Sequence, residues 1–276
     1  MKKLFFICFG IACTAYCSDL HLVPTNSIVA VQQSIEAYKE ALAAGHFTIT
    51  TNEEAYIKQK IDAYDQGKLT IKDLNENAGD EGNRELMGYY FLHTNDISTK
   101  AKLPISRSFT FASAYPEAAL LAEAYVNVYS NDSIGWHCLA YDYTAMHVLG
   151  SMNDSNKIFF AYNRAVRLGD TESLQPIILS ALVYDRLDIA DKFVPQLMKL
   201  YQSNKIQSKD RLGVASLLLG YSLKSKRKDI FLETLKGENL KEFLRDERLK
   251  WEIELGCKIF EGKDIDKIHN EVSALN

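Results

Sequence analysis

Residues 133–170 decide the fold: SIGWHCLAYDYTAMHVLGSMNDSNKIFFAYNRAVRLGD. Apolar side chains recur every three or four residues over 134–149 and again over 155–168, which is the period of an amphipathic helix. A short polar stretch separates the two patterns, and Gly169-Asp170 follows the second. Helices joined by short loops pack antiparallel, so the segment predicts a two-helix hairpin that ends in a turn.

The same period extends through most of the chain in both directions. Pro and Gly are scarce, at 5 and 14 residues, which disfavours a turn-rich β domain. Pro116 suits the first position of a helix. Pro176 and Pro195 fall inside predicted helices, where they predict a delayed start or a kink. The predicted helices are 27–44, 53–66, 84–93, 116–128, 134–149, 155–168, 171–184, 187–201, 209–223, 226–236, 240–245, 247–260 and 265–275.

The least regular stretch is 94–114, which is rich in Thr, Ser and Lys and contains Pro104. Polar and apolar residues alternate over 106–111, as they do in a short extended segment. Because this is the longest break in the helical pattern, we expect it to separate an N-terminal helical region, 18–114, from a more regular region, 115–276.

Short internal similarities indicate repeated helix pairs. The dipeptide Leu219-Gly220 recurs 36 residues later as Leu255-Gly256. The second helix of the hairpin, followed by its turn, reads FAYNRAVRLGD over 160–170. The first helix carries a spaced motif made of Trp136, Leu139, Ala140 and Tyr143. Together these features resemble the tetratricopeptide (TPR) repeat, which has a period of about 34 residues, and the related Sel1-like repeat.

The resemblance covers about 115–276 and implies an all-α fold, a solenoid of αα-hairpins preceded by a less regular helical N-terminal region. Each helix pair has an apolar face that it cannot bury alone, so it must stack on a neighbour. The spacings are irregular, which is typical of divergent units.

Residues 1–17 predict a secretory signal peptide. Two lysines precede an apolar run over 4–12 and then small residues. The run is shorter than the roughly 20 residues that span a bilayer. Cleavage after Cys17, or alternatively after Ala15, therefore leaves an exported protein, periplasmic or secreted, that is not an integral membrane protein. A lipid anchor at Cys13, on the outer membrane, is the rival interpretation.

After cleavage at 17, the remaining cysteines are Cys138 and Cys257. Both lie in apolar helical patterns, so each is predicted to be a buried thiol. One long-range disulfide between them is the alternative in an oxidising compartment. Two cysteines so far apart in sequence do not predict a zinc site.

The charge of the chain argues against nucleic-acid binding. The formal net charge is −4, and no basic stripe is present that would collect phosphates. The small basic stretch 224–228 is typical of a solvated turn, with an acidic partner as the alternative.

The sequence contains no motif for catalysis, a cofactor or a metal. The 6 His residues are scattered. His137 and His147 share a predicted helix but point in different directions, and Asp142 near them is expected to be solvated. The acidic pairs 53–54 and 246–247 stand at predicted helix starts, where they offset the helix dipole. We therefore predict no catalytic residue, no metal and no cofactor.

The resemblance implies that the first helices of successive pairs line a concave groove. Its groove positions correspond here to His137, Tyr141 and Thr144 in the hairpin, and to Tyr221 and Lys224 in the Leu219-Gly220 unit. The five are candidate binding residues for a protein or peptide. The alternative is that the two tyrosines are half-buried packing residues whose hydroxyls reach water.

The expected function is that of a non-catalytic protein–protein interaction scaffold of the bacterial envelope or exterior. One alternative is an envelope-associated enzyme, such as a hydrolase, with a site near 94–114 where loops carry residues. Another is a structural subunit of an oligomer, which predicts a large exposed apolar patch. A scaffold predicts an open groove, whereas an enzyme predicts a closed pocket of convergent polar groups.

Overall fold

The structure is a computed structural model that describes residue 40 and residues 51–74, 84–93, 95–203, 206, 208–236 and 238–275. Within these ranges every regular element is an α-helix, which confirms the all-α prediction. The predicted signal peptide lies outside the described residues, as does the predicted helix 27–44 apart from Glu40. The helices are α1 (Thr51–Asp65), α2 (Ile71–Leu74), α3 (Arg84–Leu92), α4 (Lys102–Phe111), α5 (Tyr115–Val128), α6 (Ser133–Val148), α7 (Asn156–Arg167), α8 (Leu174–Val183), α9 (Leu187–Gln202), α10 (Ser208–Ser225), α11 (Lys228–Leu235), α12 (Leu240–Phe243), α13 (Glu247–Ile259) and α14 (Lys263–Leu275).

The chain forms two compact units, Met1–Ile158 and Phe159–Asn276. The boundary predicted between residues 114 and 115 lies inside the first unit. Helices α4 and α5, on either side of that boundary, pack closely against each other. The hydroxyl of Ser106 in α4 donates a hydrogen bond to the carbonyl of Ala118 in α5 at 2.9 Å.

The first unit is built around an apolar core to which α1, α3, α4 and α5 contribute. The ring of Tyr90 in α3 meets Phe109 in α4 edge-on, with 5.7 Å between centroids. Edge-on contacts of this kind are favourable for aromatic pairs. The core includes Ile57, Ile61, Tyr64, Leu86, Tyr89, Ile105, Ala118 and Leu121.

Residues 102–111 form the helix α4, so the extended segment expected over 106–111 is wrong. The misleading signal came from polar residues that are in fact buried: Ser106 and Ser108 both have an exposed fraction of 0%. Ser108 donates to the carbonyl of Pro104. A hydroxyl that bonds the carbonyl one turn earlier is satisfied within its own helix and can be buried.

Helices α5 and α6 come together at Gly135. A Cβ atom at this position would lie 2.8 Å from ring carbons of Tyr125 and 3.0 Å from Val126, so only glycine fits. Asp132 caps α6 by accepting the backbone N–H of Ile134 at 2.9 Å. The same carboxylate accepts the hydroxyl of Tyr125 at 2.5 Å, which fixes α5 against the start of α6.

The second unit contains three helix pairs that pack in chain order, α8 with α9, α10 with α11 and α13 with α14. The first helices of successive pairs are also in contact, α8 with α10 and α10 with α13. The turn predicted at Gly169-Asp170 is confirmed. Gly169 has φ +97°, and Asp170 accepts the backbone N–H of Glu172 and the hydroxyl of Ser173.

The two copies of the Leu-Gly dipeptide differ in how tightly they pack. A Cβ atom at Gly256 in α13 would lie 2.1 Å from the ring of Phe231 in α11. At Gly220 in α10 the nearest atom is an oxygen of Glu252, at 3.7 Å. Close helix approach therefore requires glycine at position 256 but not at 220.

Several predicted helix ends are confirmed. The carboxylate of Asp246 accepts the N–H groups of Arg248 and Leu249 at 3.0 Å each, and so caps α13. Glu53 and Glu54 lie in the first turn of α1, where carboxylates stabilise the positive end of the helix dipole.

Pro116 and Pro176 lie in the first turns of helices, as the sequence predicts. Pro116 stands at the start of α5. Helix α8 begins only at Leu174, so Pro176 falls in its first turn and delays the start expected at residue 171. Pro195 lies inside α9.

Cys138 and Cys257 are each half-buried, so they are less deeply buried than the sequence predicts. Along the described ranges, every helix is too short or too polar to cross a bilayer.

Candidate binding groove

An open groove of about 630 Å³ lies in the second unit, between α7 and α9. Its volume is within the roughly 300–1,000 Å³ that is usual for ligand sites. On α7 the lining residues recur with helical spacing, so one face of the helix forms one wall. Helix α9 forms the opposite wall. The lining residues are Phe159, Phe160, Asn163, Val166 and Arg167 of α7, Ile177 of α8, Arg186 just before α9, and Ile189, Lys192, Phe193 and Gln196 of α9.

The floor of the groove is apolar and buried. The exposed fractions are 6% for Phe159, 0% for Ile177, 9% for Ile189 and 7% for Phe193. Phe160 differs, because 62% of its surface is exposed at the rim. The groove therefore combines a rigid floor with one large apolar side chain that faces solvent.

Arg186 is held in a fixed position at one end of the groove. Its guanidinium lies 5.6 Å from the centre of the Phe159 ring and donates two hydrogen bonds to Asp188, at 2.9 and 3.0 Å. The pair lowers the pKa of Asp188 and raises that of Arg186, because each charge stabilises the other. Tyr184 packs edge-on against Phe159 on the same side, at 6.1 Å.

The groove carries positive charge. Its charged lining residues are Arg167, Arg186 and Lys192, and none of the described residues that line it is acidic. Neither Arg167 nor Lys192 has an ion-pair or hydrogen-bond partner for its side chain in the described part of the chain. The same holds for the side-chain amides of Asn163 on α7 and Gln196 on α9.

The predicted binding residues on α6 belong to the first unit. Tyr141 is 43% exposed, and His137 is half-buried. The hydroxyl of Thr144 donates to the carbonyl of Ala140 at 2.8 Å, one turn earlier in the same helix.

The predicted binding residues on α10 hold helices together. Tyr221 is 1% exposed, and its hydroxyl donates to Asp191 of α9 at 2.5 Å. Burial is the main cause that raises the pKa of this tyrosine, and the bond to Asp191 adds to it. Lys224 pairs with Asp185, between α8 and α9, and donates to the carbonyl of Leu182 in the last turn of α8. Neither residue lines the groove between α7 and α9.

Comparisons with known proteins found no significant match. No protein-family model matches the chain. No curated protein is significantly similar to it. The groove and the contacts around it are therefore the observations on which a functional proposal rests.

The resemblance implies binding residues on the first helix of each pair, so it does not predict the residues that line this groove. In the pairing predicted from the sequence, α7 and α9 are second helices. The sequence feature that could have indicated the groove is the neighbouring pair Phe159-Phe160. Consecutive residues of a helix point about 100° apart, and here Phe159 is buried while Phe160 is exposed.

Asp142 and Glu252 are buried carboxyl groups that contact neighbouring helices and do not line the groove. Asp142 of α6 has an exposed fraction of 0% and accepts the hydroxyl of Thr110 in α4 at 2.7 Å. Burial raises its pKa well above the ordinary value, which corrects the prediction that Asp142 is solvated.

Glu252 of α13 is likewise a buried carboxyl group that contacts a neighbouring helix, α10. It accepts the hydroxyl of Ser216 at 3.0 Å and the guanidinium of Arg248 at 3.2 Å. Burial raises its pKa to about 7. In the described residues, no three His, Cys, Asp or Glu side chains come together as metal ligands.

Proposed function

We propose that this protein is an exported helical-repeat scaffold of the TPR or Sel1-like type that binds a partner protein through the groove between α7 and α9, without catalysing a reaction. The observation that carries the proposal is the groove itself: a buried apolar floor, an exposed Phe160, and the polar side chains of Asn163 and Gln196, which make no hydrogen bond in the described part of the chain.

The order of packing in the second unit supports the repeat architecture. Each pair packs internally, and its first helix contacts the first helix of the next pair. Stacked hairpins require this pattern, because each repeat buries its apolar face on its neighbour. Such stacks present preformed surfaces, on which little ordering entropy is lost when a partner binds.

The chemistry of the groove supports a peptide as the bound segment. Phe160 offers large contact area at small entropic cost, and the floor beside it is apolar. Asn163 and Gln196 each carry an amide that both donates and accepts, as the backbone of a bound peptide requires. Several such contacts together provide affinity that no single one supplies.

We assign the function to the groove rather than to the region near 94–114 that the enzyme alternative requires. Helix α4 occupies about half of that region, and six of its residues are buried. A site there would have to be built from side chains that already pack in the core of the first unit.

The proposal is tested by selecting random displayed peptides on the purified chain and measuring the affinity of the best ones by fluorescence anisotropy. We expect Phe160→Ala to weaken binding at least tenfold, since it removes the exposed anchor. Trp251→Ala is the matched control, because Trp251 is a similarly exposed aromatic side chain of the same unit, at 56% against 62%. Peptides that bind the Phe160→Ala chain as tightly as the unaltered chain would contradict a function for the groove.

A second candidate, the structural subunit, is favoured by one observation. Ile134, Tyr141 and Val148 follow one another at intervals of seven residues on α6 and are 49%, 43% and 51% exposed. A seven-residue interval keeps them on one face, as in the seam of a coiled coil. Sedimentation analysis tests this: a self-associating chain that Tyr141→Glu turns into a monomer supports the subunit, and a monomeric unaltered chain refutes it.

A further inference from the structure

The charge of the groove differs from that of the chain around it. The formal net charge of the protein is −4, yet Arg167, Arg186 and Lys192 line the groove with no acidic neighbour among its described lining residues. Arg186 is partly neutralised by Asp188, which accepts two hydrogen bonds from it. Arg167 and Lys192 have no ion-pair or hydrogen-bond partner in the described ranges. Lys192 interacts only weakly with Asp188, whose pKa it helps to lower. Both cations are therefore available to a ligand.

The positions of these two cations fix where negative charge is bound. Arg167 ends α7 on one wall, and Lys192 lies on the opposite wall in α9. A ligand that lies between the walls is therefore within reach of a cation on each side.

The anchor and the cations also define a spacing. Phe160 and Arg167 are seven residues apart on α7, which is about 10 Å along the axis at about 1.5 Å per residue. An extended peptide advances about 3.3 Å per residue, so about three residues cover this distance. An apolar side chain packed on Phe160 thus brings a residue about three positions away next to Arg167.

We propose that the groove binds an acidic peptide segment in which an apolar side chain packs on Phe160 and a carboxylate about three residues away pairs with Arg167, with a second carboxylate on Lys192. This rests on the proposed function, since it names the class of partner for the same groove. A polyphosphate or nucleic acid fits less well, because the floor is apolar and only two of the cations lack a protein partner.

The test uses the full chain and random displayed peptides, followed by affinity measurements on the best peptides and on oligothymidine as a competing polyanion. We expect the selected peptides to be enriched in Asp and Glu about three residues from an aromatic or aliphatic residue. Their binding should weaken as salt is raised, because the contacts are partly electrostatic. Arg167→Glu combined with Lys192→Glu should weaken it by about tenfold or more.

Lys199→Glu is the matched control for this charge reversal, because Lys199 is exposed on α9 but does not line the groove. It should leave affinity within about twofold of the unaltered chain.

The outcomes separate this inference from the broader one. If the selected peptides require Phe160 for binding but are neutral or basic, the proposal of an acidic ligand is refuted, and the proposed scaffold function is still supported. If the selected peptides bind the Phe160→Ala chain as tightly as the unaltered chain, the acidic ligand and the function of the groove are both refuted. Acidic peptides that bind the double variant as well as the unaltered chain, or oligothymidine that binds as tightly as they do, refute the proposed recognition.

Discussion

Gly256→Ala tests how the second unit is packed. The added methyl carbon would lie 2.1 Å from Cε2 and 2.4 Å from Cζ of Phe231. Phe231 has an exposed fraction of 0%, and its ring packs against Phe260 with 5.3 Å between centroids. The ring therefore has no free space into which it can turn.

The size of the effect follows from these distances. Carbon atoms pack at about 3.5–4.0 Å, so α13 and the Phe231 ring must separate by about 1.4 Å or more. Overpacking of a core costs about 1–3 kcal/mol, and this displacement corresponds to the upper end. Alanine is better than glycine inside a helix by about 1 kcal/mol. We expect Gly256→Ala to lower the free energy of unfolding by about 2 kcal/mol.

The assay is urea unfolding followed by the fluorescence of Trp251, in a Trp136→Phe background so that the signal reports on the second unit. Gly220→Ala and Gly213→Ala are controls in α10, because the nearest atom to an added Cβ is 3.7 Å away at Gly220 and beyond 4 Å at Gly213. Both should be unchanged or more stable by about 1 kcal/mol. A Gly256→Ala chain as stable as the unaltered one would refute the close contact between α11 and α13.

Three further predictions concern single side chains. Burial raises the pKa of Glu252 from 4.5 to about 7, so the folded chain keeps a proton that the unfolded chain releases. The free energy of unfolding should then fall by about 3 kcal/mol as pH rises through this interval. Urea titrations at several pH values should show that Glu252→Gln abolishes most of this decrease in the free energy of unfolding, whereas the control Glu254→Gln keeps it. A decrease that persists in Glu252→Gln would show that Glu252 is not its source. Phe159→Ala should cost about 3–5 kcal/mol because the ring is 6% exposed, whereas Phe160→Ala, at 62%, should change stability by less than about 0.5 kcal/mol; thermal unfolding with equal shifts for both would show that the two rings are not placed as described. Asp246→Ala should cost about 0.5–2 kcal/mol because the cap of α13 is lost, and an unchanged melting temperature would argue against that cap.

The helices and their ends were largely predictable because their signals are local. Helical periodicity, Asp246 at a helix start and Gly169 in a turn act within a few residues of the chain. Pro116 and Pro176 likewise restrict only their own turn.

The buried polar residues were not predictable from one sequence, since their burial depends on distant partners. Ser106 is buried because the carbonyl of Ala118 accepts its hydroxyl, and Asp142 because Thr110 lies opposite it. Sequence patterns assign such residues to the surface, which is why the segment around Ser106 was expected to be irregular.

The candidate site was only partly accessible to sequence reasoning. The sequence predicts an open groove lined by Tyr, Lys and uncharged residues on the first helices of the pairs, whereas the groove described above lies between α7 and α9. Tyr221 and Lys224 instead make contacts between helices. The exposure of Phe160 next to the buried Phe159 depends on how α7 packs on α8 and α9, and a single sequence does not specify this.

The most direct test of groove binding is site-specific photocrosslinking. Phe160 is replaced with the photoreactive amino acid p-benzoylphenylalanine, and the full chain is irradiated with a selected peptide labelled with biotin. Replacement of Trp251, which is similarly exposed, gives the matched control. The account predicts that the peptide crosslinks at position 160 and not at position 251. Crosslinking at 251 with none at 160 would contradict it.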